Sequence, residues 1–287
     1  MTRRGAARWA EAARSEAPAP PTLEVLIPTC DRPAELAVTL AGLAGQDDPD
    51  FGVLISDQST GDASYEHPAA DAMCRVLQAQ GRPVRRERHL PARGLAEQRH
   101  FLLSQATAPY VLFLDDDVWL EPGSLARMLA AIRSSGAGFV GSAVQGLSYL
   151  GDDRPQEREP LELWDGPVQP EHLRRDGPGS ERWTLHNAAN LVHAAADLGL
   201  APDEWRLYKV AWVGACVLFD RAKLEACGGF GFWRNLPPEH AGEDVAAQWA
   251  VMERYGGAGI LPSGAVHLES PTTVPNRSVD AADLLGT

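Results

Sequence analysis

The chain has 287 residues, 44 % of them hydrophobic, which is enough to bury a sizeable core in one large domain or two modest halves. Its 26 basic and 39 acidic residues give a formal charge of −13. This balance argues against a nucleic-acid backbone or an anionic membrane surface as the main partner. We therefore expect that the protein does not bind nucleic acid. The expected partner is a cation, or a ligand whose charge is screened by a cation.

The four cysteines indicate neither a disulfide framework nor a structural zinc site, because they form no CxxC pair and no cluster with histidine at zinc spacing. No apolar run approaches the roughly 18 residues of a membrane span, and the first residues lack the apolar centre of a signal peptide. We expect a cytoplasmic protein without a transmembrane segment, with peripheral attachment to the inner face of the membrane as an alternative. Nothing in the sequence indicates an oligomeric state.

Residues 1–21 contain four arginines, many alanines and the proline-rich end APAPP. We predict an N-terminal extension outside the fold, either a short basic helix on a stiff proline tether or a disordered segment.

After this extension, short β-like runs alternate with helical stripes. Residues 23–28 and 51–56 are predicted strands on either side of a helix with Leu36, Leu40 and Leu43 on one face. Further elements follow in the order helix, strand, helix, and their markers are Leu95, Leu102, Leu103 and Ala106, then YVLFL, then Leu125, Met128, Leu129 and Ile132. The alternation predicts a doubly wound, mostly parallel sheet flanked by helices.

The second half begins with a loss of regularity. Residues from about 145 to 205 are rich in proline, glycine and charge, and long loops are predicted there. The run VAWVGACVLFDRAKLEACGGFGFW then predicts a buried strand, a short helix and a glycine turn. EDVAAQWAVMERYGG is typical of a helix closed by glycine, and GAVHLES of a final short strand.

Three consecutive carboxylates, Asp115, Asp116 and Asp117, follow the strand YVLFL directly. Open α/β sheets bind ligands outside the carboxyl ends of their strands, which is where these residues fall. Because side chains alternate along a strand, Asp115 and Asp117 should share one face and repel each other unless a cation lies between them. A hard divalent ion is the natural occupant; the alternative is a solvated acidic turn that caps the helix beginning near Ser124.

Arg99 lies inside the apolar stripe of its helix, where a guanidinium needs a partner. Three partners are open: Asp57 at the end of the second strand, a ligand carbonyl or phosphate, or a plain buried ion pair.

Taken in order, these segments resemble the family 2 glycosyltransferases, which use the GT-A fold to move a sugar from a nucleotide-sugar donor. LIPTCDRPAELAVTLAGL is similar to the family's opening strand and helix, ISDQST to its second acidic strand end, and GLAEQRHFLLSQATAPYVLFLDDDV to its arginine helix and DxD segment. VGACVLFDRAKLEACGGF and GEDVAAQWAVMERYG resemble its acceptor-side strand and its catalytic acidic helix. The ordered matches cover roughly residues 23–144 and 210–269.

A narrower, local resemblance is to bacterial galactofuranosyltransferases, which share T-x-N/D-R-P early in the chain and F-x-D-D-D-[IV]-x-L-E-P in the middle. The chain is much shorter than the polymerising members and has Glu243 where an aspartate often precedes the catalytic one.

The resemblance implies one α/β domain of GT-A fold over residues 22–287, with a Rossmann-like, mostly parallel central sheet and an irregular acceptor-side region. Its parts would be a nucleotide-sugar-binding half at 22–118, an acceptor-binding and catalytic half at 119–270, and a C-terminal tail at 271–287. The implied cofactor is Mn²⁺ or Mg²⁺, and the implied donor is a nucleotide-sugar, with UDP favoured. A carbohydrate, a lipid-linked molecule or another small molecule would be the acceptor.

Carried over to this chain, the resemblance implies nucleotide-sugar contacts from Pro28, Thr29, Arg32, Asp57, Arg99, Asp115 and Asp116. Thr29 and Arg32 would lie along the diphosphate, while Asp57 and Arg99 would hold the base.

The implied metal ligands are Asp117, as the main carboxylate, together with Asp115 and His267. Asp115 would touch either the ribose or the metal. His267 stands 23 residues after Asp244, where some members have a metal-binding histidine. The alternative is that His267 binds no metal and is an ordinary core or surface residue.

The candidate general base is Asp244, which would take a proton from the acceptor hydroxyl as it attacks the anomeric carbon. The metal would stabilise the leaving diphosphate, and attack opposite the leaving group implies inversion. Glu243 is the second candidate, and an acid in a first turn also simply complements the helix dipole. Trp212 and Trp233 are candidate acceptor contacts, with burial in the core as the alternative.

Other protein classes fit less well. A sugar-phosphate nucleotidyltransferase would need a glycine-rich, lysine-bearing first loop, and a phosphoryl-transfer domain a lysine or P-loop, and both features are missing. A non-catalytic nucleotide-sugar-binding protein of the same fold would tolerate loss of the base or the metal ligands, which are all present.

Overall fold

The structure, a computed structural model, describes residues 20–48, 50–201, 203–274 and 277–285. All but the last two residues of the predicted N-terminal extension, 1–21, lie outside the described residues. The strands are β1 (Leu23–Thr29), β2 (Phe51–Asp57), β3 (Val84–Arg88), β4 (Tyr110–Leu114), β5 (Val118–Leu120), β6 (Phe139–Gly141), β7 (Gln145–Gly146), β8 (Arg206–Tyr208), β9 (Cys216–Asp220), β10 (Gly257–Leu261) and β11 (Ala265–His267). The α-helices are α1 (Pro33–Ala44), α2 (Pro68–Ala79), α3 (Leu95–Gln105), α4 (Ser124–Ser135), α5 (Pro155–Arg158), α6 (Leu191–Asp197), α7 (Arg221–Ala226), α8 (Glu243–Tyr255) and α9 (Ala281–Leu285).

A large central sheet has the strand order β3-β2-β1-β4-β9-β6-β10-β8. Strands β3, β2, β1 and β4 run parallel, as do β6 and β10, whereas β9 is antiparallel to both of its neighbours and β8 is antiparallel to β10. This arrangement confirms the predicted α/β class with a mostly parallel central sheet.

The core lies on both faces of this sheet, which explains why β1 and β2 read as nearly continuous apolar runs. Val25 and Ile27 pack with Leu36 and Leu40 of α1 on one face, together with the apolar stripe of α4. The opposite face of β1 presents Leu26 to α3 and α8. The helices therefore pack on both faces of the strands whose carboxyl ends precede the candidate site residues.

Several elements were not predicted from the sequence, among them β3, α2, β6 and β10. Strand β3, VRRER, lies at the sheet edge and is largely exposed, so it needs no apolar pattern. Helix α2 buries Ala70, Cys74 and Leu77, whose spacing of i, i+4 and i+7 is that of an amphipathic helix. This pattern was present in the sequence and was overlooked, whereas β3 carries no apolar pattern.

The predicted irregular region, residues 145 to 205, is confirmed as loops with short elements. It holds α5, α6 and two 3₁₀ helices, Leu147–Tyr149 and Ser180–His186. Of the helices in the described ranges, none combines the length and apolar character of a membrane span.

Candidate active site

A small second sheet, with the order β5-β11-β7, sets the position of the acidic segment after β4. Strand β11 pairs antiparallel with β5, so that His267 lies opposite Val118. The backbone N–H of Leu268 donates to the carbonyl of Asp117 at 2.9 Å, and His267 Nε2 lies 3.5 Å from Asp117 Oδ2. This pairing brings Asp117 and His267, which are 150 positions apart in the sequence, next to each other.

The three aspartates do not continue the strand, because the chain turns after Leu114. Thr39 of α1 holds this turn by donating to the Asp116 carbonyl at 2.7 Å and accepting from the Val118 N–H at 3.1 Å. The predicted strand-like alternation, which requires extended backbone, is therefore wrong, although Asp115 and Asp117 both line one cavity. Asp116 and Asp117 instead share a partner.

That partner is Arg32, whose Nη1 donates to Asp117 Oδ2 at 2.7 Å and to Asp116 Oδ1 at 3.2 Å. Thr29 Oγ1 donates to the other oxygen of Asp116 at 2.7 Å. Both carboxylates are only 5 % exposed. Burial raises the pKa of Asp116 to about 7, against the opposing effects of the Thr29 hydrogen bond and the Arg32 charge.

Asp115 pairs with Arg99 instead. Arg99, 4 % exposed, donates from Nη2 to Asp115 Oδ1 at 2.9 Å, and its Nε lies 3.3 Å from Oε1 of Glu243. Of the three alternatives for Arg99, the structure shows the buried ion pair. Pairing with Asp57 is wrong, because the Asp57 carboxylate accepts from the backbone N–H groups of Ser59 and Ser64.

A first cavity of about 290 Å³ opens at the carboxyl ends of β1 and β4. Its walls include these predicted site residues: Pro28, Thr29, Arg32, Asp115, Asp116, Asp117 and His267. Leu95 and Gln98 of α3 and the segment around Thr272 and Val274 complete it. Asp57 and Arg99 are not among its lining residues.

A second cavity of about 470 Å³ adjoins the first and shares five lining residues with it: Leu95, Asp115, His267, Val274 and Arg277. Arg99, Glu243, Asp244 and Trp212 line it as well. Trp233 lines neither cavity; it lies in the 3₁₀ helix Gly231–Asn235, with its ring 6.4 Å from that of His100. The geometry therefore gives no support to an acceptor contact from Trp233.

Helix α8 presents the two adjacent acids to the second cavity. It begins after Gly242, whose φ of 75° is accessible to glycine, and is anchored by Trp249, which donates to the Ala211 carbonyl at 2.8 Å. Glu243 is tied to Arg99, whereas Oδ1 of Asp244 accepts from the N–H of Val245 at 2.9 Å. Burial, and then the negative charge of Glu243, raise the pKa of Asp244 to about 7.

Two aromatic residues that were not singled out as acceptor contacts also line the second cavity. Trp183 and His186 belong to the 3₁₀ helix Ser180–His186, in a region without periodicity. Their ring contacts with Trp212, at 5.3 and 5.8 Å between centroids, join segments about 30 residues apart. Burial lowers the pKa of His186 to about 3, so its imidazole is neutral.

Within the described residues, no three His, Cys, Asp or Glu side chains form a group that would hold a metal ion by itself. Asp117 and His267 nevertheless face each other at the first cavity. Hard divalent ions such as Mg²⁺ are commonly held by one or two carboxylates, with the remaining positions filled by substrate phosphates and water. The pair fits such an ion when a diphosphate shares the coordination.

Comparison with known sequences gives two matches. The sequence model of glycosyl transferase family 2 matches residues 24–195. Galactofuranosyltransferase GlfT2 of Mycolicibacterium smegmatis is 33 % identical over 122 residues, which are 41 % of this chain and 18 % of that protein. The chain thus spans less than a fifth of the length of this relative.

Solved structures give the same fold. Mannosyltransferase PcManGT from Pyrobaculum calidifontis, in complex with GDP-Man and Mn²⁺, superposes with a TM-score of 0.56 at 18 % identity, over 93 % of this chain and 64 % of that one. S. aureus TarS 1–349, in complex with UDP-GlcNAc, has a TM-score of 0.53 at 15 % identity, over 88 % of this chain and 60 % of that one.

These neighbours are GT-A glycosyltransferases, so the predicted GT-A fold is confirmed. The chain spans less than two thirds of the length of either solved chain. Because the family match covers more than half of the sequence, the chain belongs to glycosyl transferase family 2.

Proposed function

We propose that this protein transfers a sugar from a nucleotide-sugar donor, with UDP as the nucleotide, to an acceptor hydroxyl with inversion at the anomeric carbon. The observation that carries the proposal is the shared wall of the two cavities, formed around Asp115 and His267. Donor and acceptor bound on either side of this wall would bring the anomeric carbon and the attacking hydroxyl together, with Asp244 on the acceptor side.

On the donor side, Thr29 and Arg32 would bind the diphosphate, and Asp117 and His267 would hold Mn²⁺ or Mg²⁺. The bound ion would act as a Lewis acid that stabilises the charge growing on the leaving diphosphate. Asp116 supports this side by fixing Thr29 and Arg32. The Mn²⁺ in the PcManGT complex supports the proposal of a divalent ion.

On the acceptor side, Asp244 is favoured over Glu243 as the general base. Glu243 is held against Arg99, so its carboxylate is already neutralised by a buried cation. Asp244 combines a place in the second cavity with a pKa near neutrality, which suits a base that must accept a proton and release it in each turnover.

A carbohydrate-containing acceptor fits the second cavity best among the acceptor classes considered. Trp212 and Trp183 form an aromatic wall there, and indole faces stack on the apolar faces of sugar rings. This aromatic wall supports Trp212 and Trp183 as proposed acceptor contacts.

The pKa of Asp244 predicts the pH dependence of transfer. Its folded-state pKa is raised, so the carboxylate is protonated below about pH 7 and ionises as the pH rises through that value. We expect kcat to fall about tenfold for each pH unit below 7 and to level off above it. The measurement is kcat between pH 5.5 and 9 at saturating donor, acceptor and Mn²⁺. A flat profile across that range contradicts Asp244 as the base.

The proposed reaction is tested by release of free nucleotide from a panel of UDP-, dTDP- and GDP-sugars, each with Mn²⁺, Mg²⁺ or EDTA. We expect release from one donor, dependent on the divalent ion. Donor binding without release in the presence of candidate acceptors would instead support a non-catalytic nucleotide-sugar-binding protein. No binding of any donor would overturn the proposal.

A further inference from the structure

Arg32 occupies the position next to the carboxylate oxygen that the proposed metal ion needs. Its Nη1 lies 2.7 Å from Oδ2 of Asp117, and the same oxygen lies 3.5 Å from Nε2 of His267. A divalent ion held by Asp117 and His267 would need this same oxygen as a ligand. The guanidinium and the ion would then be two cations in contact at one oxygen.

The Arg32 side chain is held firmly in this place. It is 12 % exposed, spans Asp116 and Asp117, and donates from Nη2 to the carbonyl of Pro271. Buried charge-assisted hydrogen bonds of this kind are stronger than surface ion pairs. A metal ion that displaces the guanidinium must therefore overcome several contacts at once.

A bound diphosphate would offer the displaced guanidinium a new anionic partner in place of Asp117. Arg32 lines the first cavity, where the proposed function places the diphosphate, and guanidinium groups bind phosphates in a bidentate manner. The diphosphate would thus accept Arg32 and at the same time supply oxygen ligands to the metal. The metal ion alone, or the diphosphate alone, would form only some of these contacts.

We propose that Arg32 competes with the divalent ion for Asp117, so that the metal binds tightly only together with the nucleoside diphosphate. This inference rests on the proposed function, and it adds the order and the coupling of ligand binding to it. By thermodynamic linkage, the factor by which the diphosphate raises metal affinity equals the factor by which the metal raises diphosphate affinity.

The test is isothermal titration calorimetry of the full chain with MnCl₂, alone and in saturating UDP. Arg32→Gln removes the competing charge and keeps the side chain polar. We expect this variant to bind Mn²⁺ alone at least tenfold more tightly than the wild type. The factor by which UDP raises its Mn²⁺ affinity should be at least tenfold smaller.

Two further variants sharpen the result. Arg32→Lys keeps the charge but lacks the planar fork that spans two carboxylates and a carbonyl, so Mn²⁺ alone should bind with intermediate affinity. This variant also carries the test if Arg32→Gln fails to fold. Arg277→Gln removes a cation that lines the same cavity and bonds to Thr272, and it should change the affinity for Mn²⁺ alone by less than threefold.

The outcomes separate this inference from the proposed function. If the Arg32 variants bind Mn²⁺ alone no more tightly than the wild type, competition at Asp117 is disproved, whatever the donor panel shows. If Arg277→Gln tightens Mn²⁺ binding as much as Arg32→Gln, the effect is one of overall cavity charge, and competition is again disproved. Tighter Mn²⁺ binding without release of nucleotide from any donor would uphold the inference and reject the transferase.

Discussion

Replacing Asp244 with asparagine should lower the rate of sugar transfer by about 10²–10⁴-fold, which is the usual contribution of a general base. Asparagine has nearly the same shape and can keep the bond to the Val245 N–H through its amide oxygen, but it cannot take a proton. Donor binding should persist because Asp244 lines the second cavity and not the first. The measurements are kcat for transfer and the Kd for UDP in Mn²⁺.

Glu243→Gln is the matched control for this substitution. It removes the neighbouring carboxylate and weakens the ion pair with Arg99, which retains Asp115 as its other partner. We expect it to keep a pH-dependent rate governed by Asp244, with a smaller loss of kcat. Normal turnover by Asp244→Asn, or a larger loss of kcat in Glu243→Gln than in Asp244→Asn, would show that Asp244 is not the general base.

Replacing Asp117 with alanine should abolish the contribution of the metal to donor binding. Loss of a residue that merely orients a metal ligand commonly costs 10–100-fold in affinity, so loss of the carboxylate ligand should cost more than about 100-fold in Mn²⁺-dependent UDP affinity. The measurement is the Kd for UDP in Mn²⁺ and in EDTA, which should become equal in the variant.

The control for Asp117→Ala is Asp153→Asn, which alters a 58 % exposed aspartate paired with Arg158. It should bind UDP as the wild type does. Retention of a wild-type difference between Mn²⁺ and EDTA by Asp117→Ala would show that the ion is held elsewhere. Arg32 keeps Asp116 as a partner in this variant, so the segment after β4 should remain folded.

Much of the fold was predictable because the apolar pattern of each central strand and helix agrees with its burial in the folded protein. β1, β2 and β4 are buried strands whose apolar runs are visible in the sequence, and α8 ends at the glycine that the pattern indicates. Asp117 was predicted from the acidic cluster after β4 and from the family resemblance, and His267 and Asp244 were predicted from the resemblance. The structure adds that β11 pairs with β5, which brings His267 to Asp117.

What the sequence could not give was the choice of partners among charged residues. Alternation along a strand fails for Asp115 to Asp117 because Thr39, some 77 residues earlier, fixes a turn there. Asp57 was the acidic partner named for Arg99 from the sequence, whereas the folded chain places Arg99 between Asp115, which follows β4, and Glu243 of α8. The aromatic wall at Trp183 rests on contacts from a region without any repeat.

The strand order also has a consequence for the nascent chain on the ribosome. β9 lies between β4 and β6, although it is made about 75 residues after β6, and the N–H of Asp115 donates at 2.8 Å to the carbonyl of Ala215 just before it. A chain that has been translated only as far as residue 200 therefore contains all three aspartates but lacks both this backbone partner and His267. The first cavity therefore becomes complete only late in translation, so a ligand of that cavity cannot stabilise the incomplete chain, whose sheet still has an unpaired edge at β4.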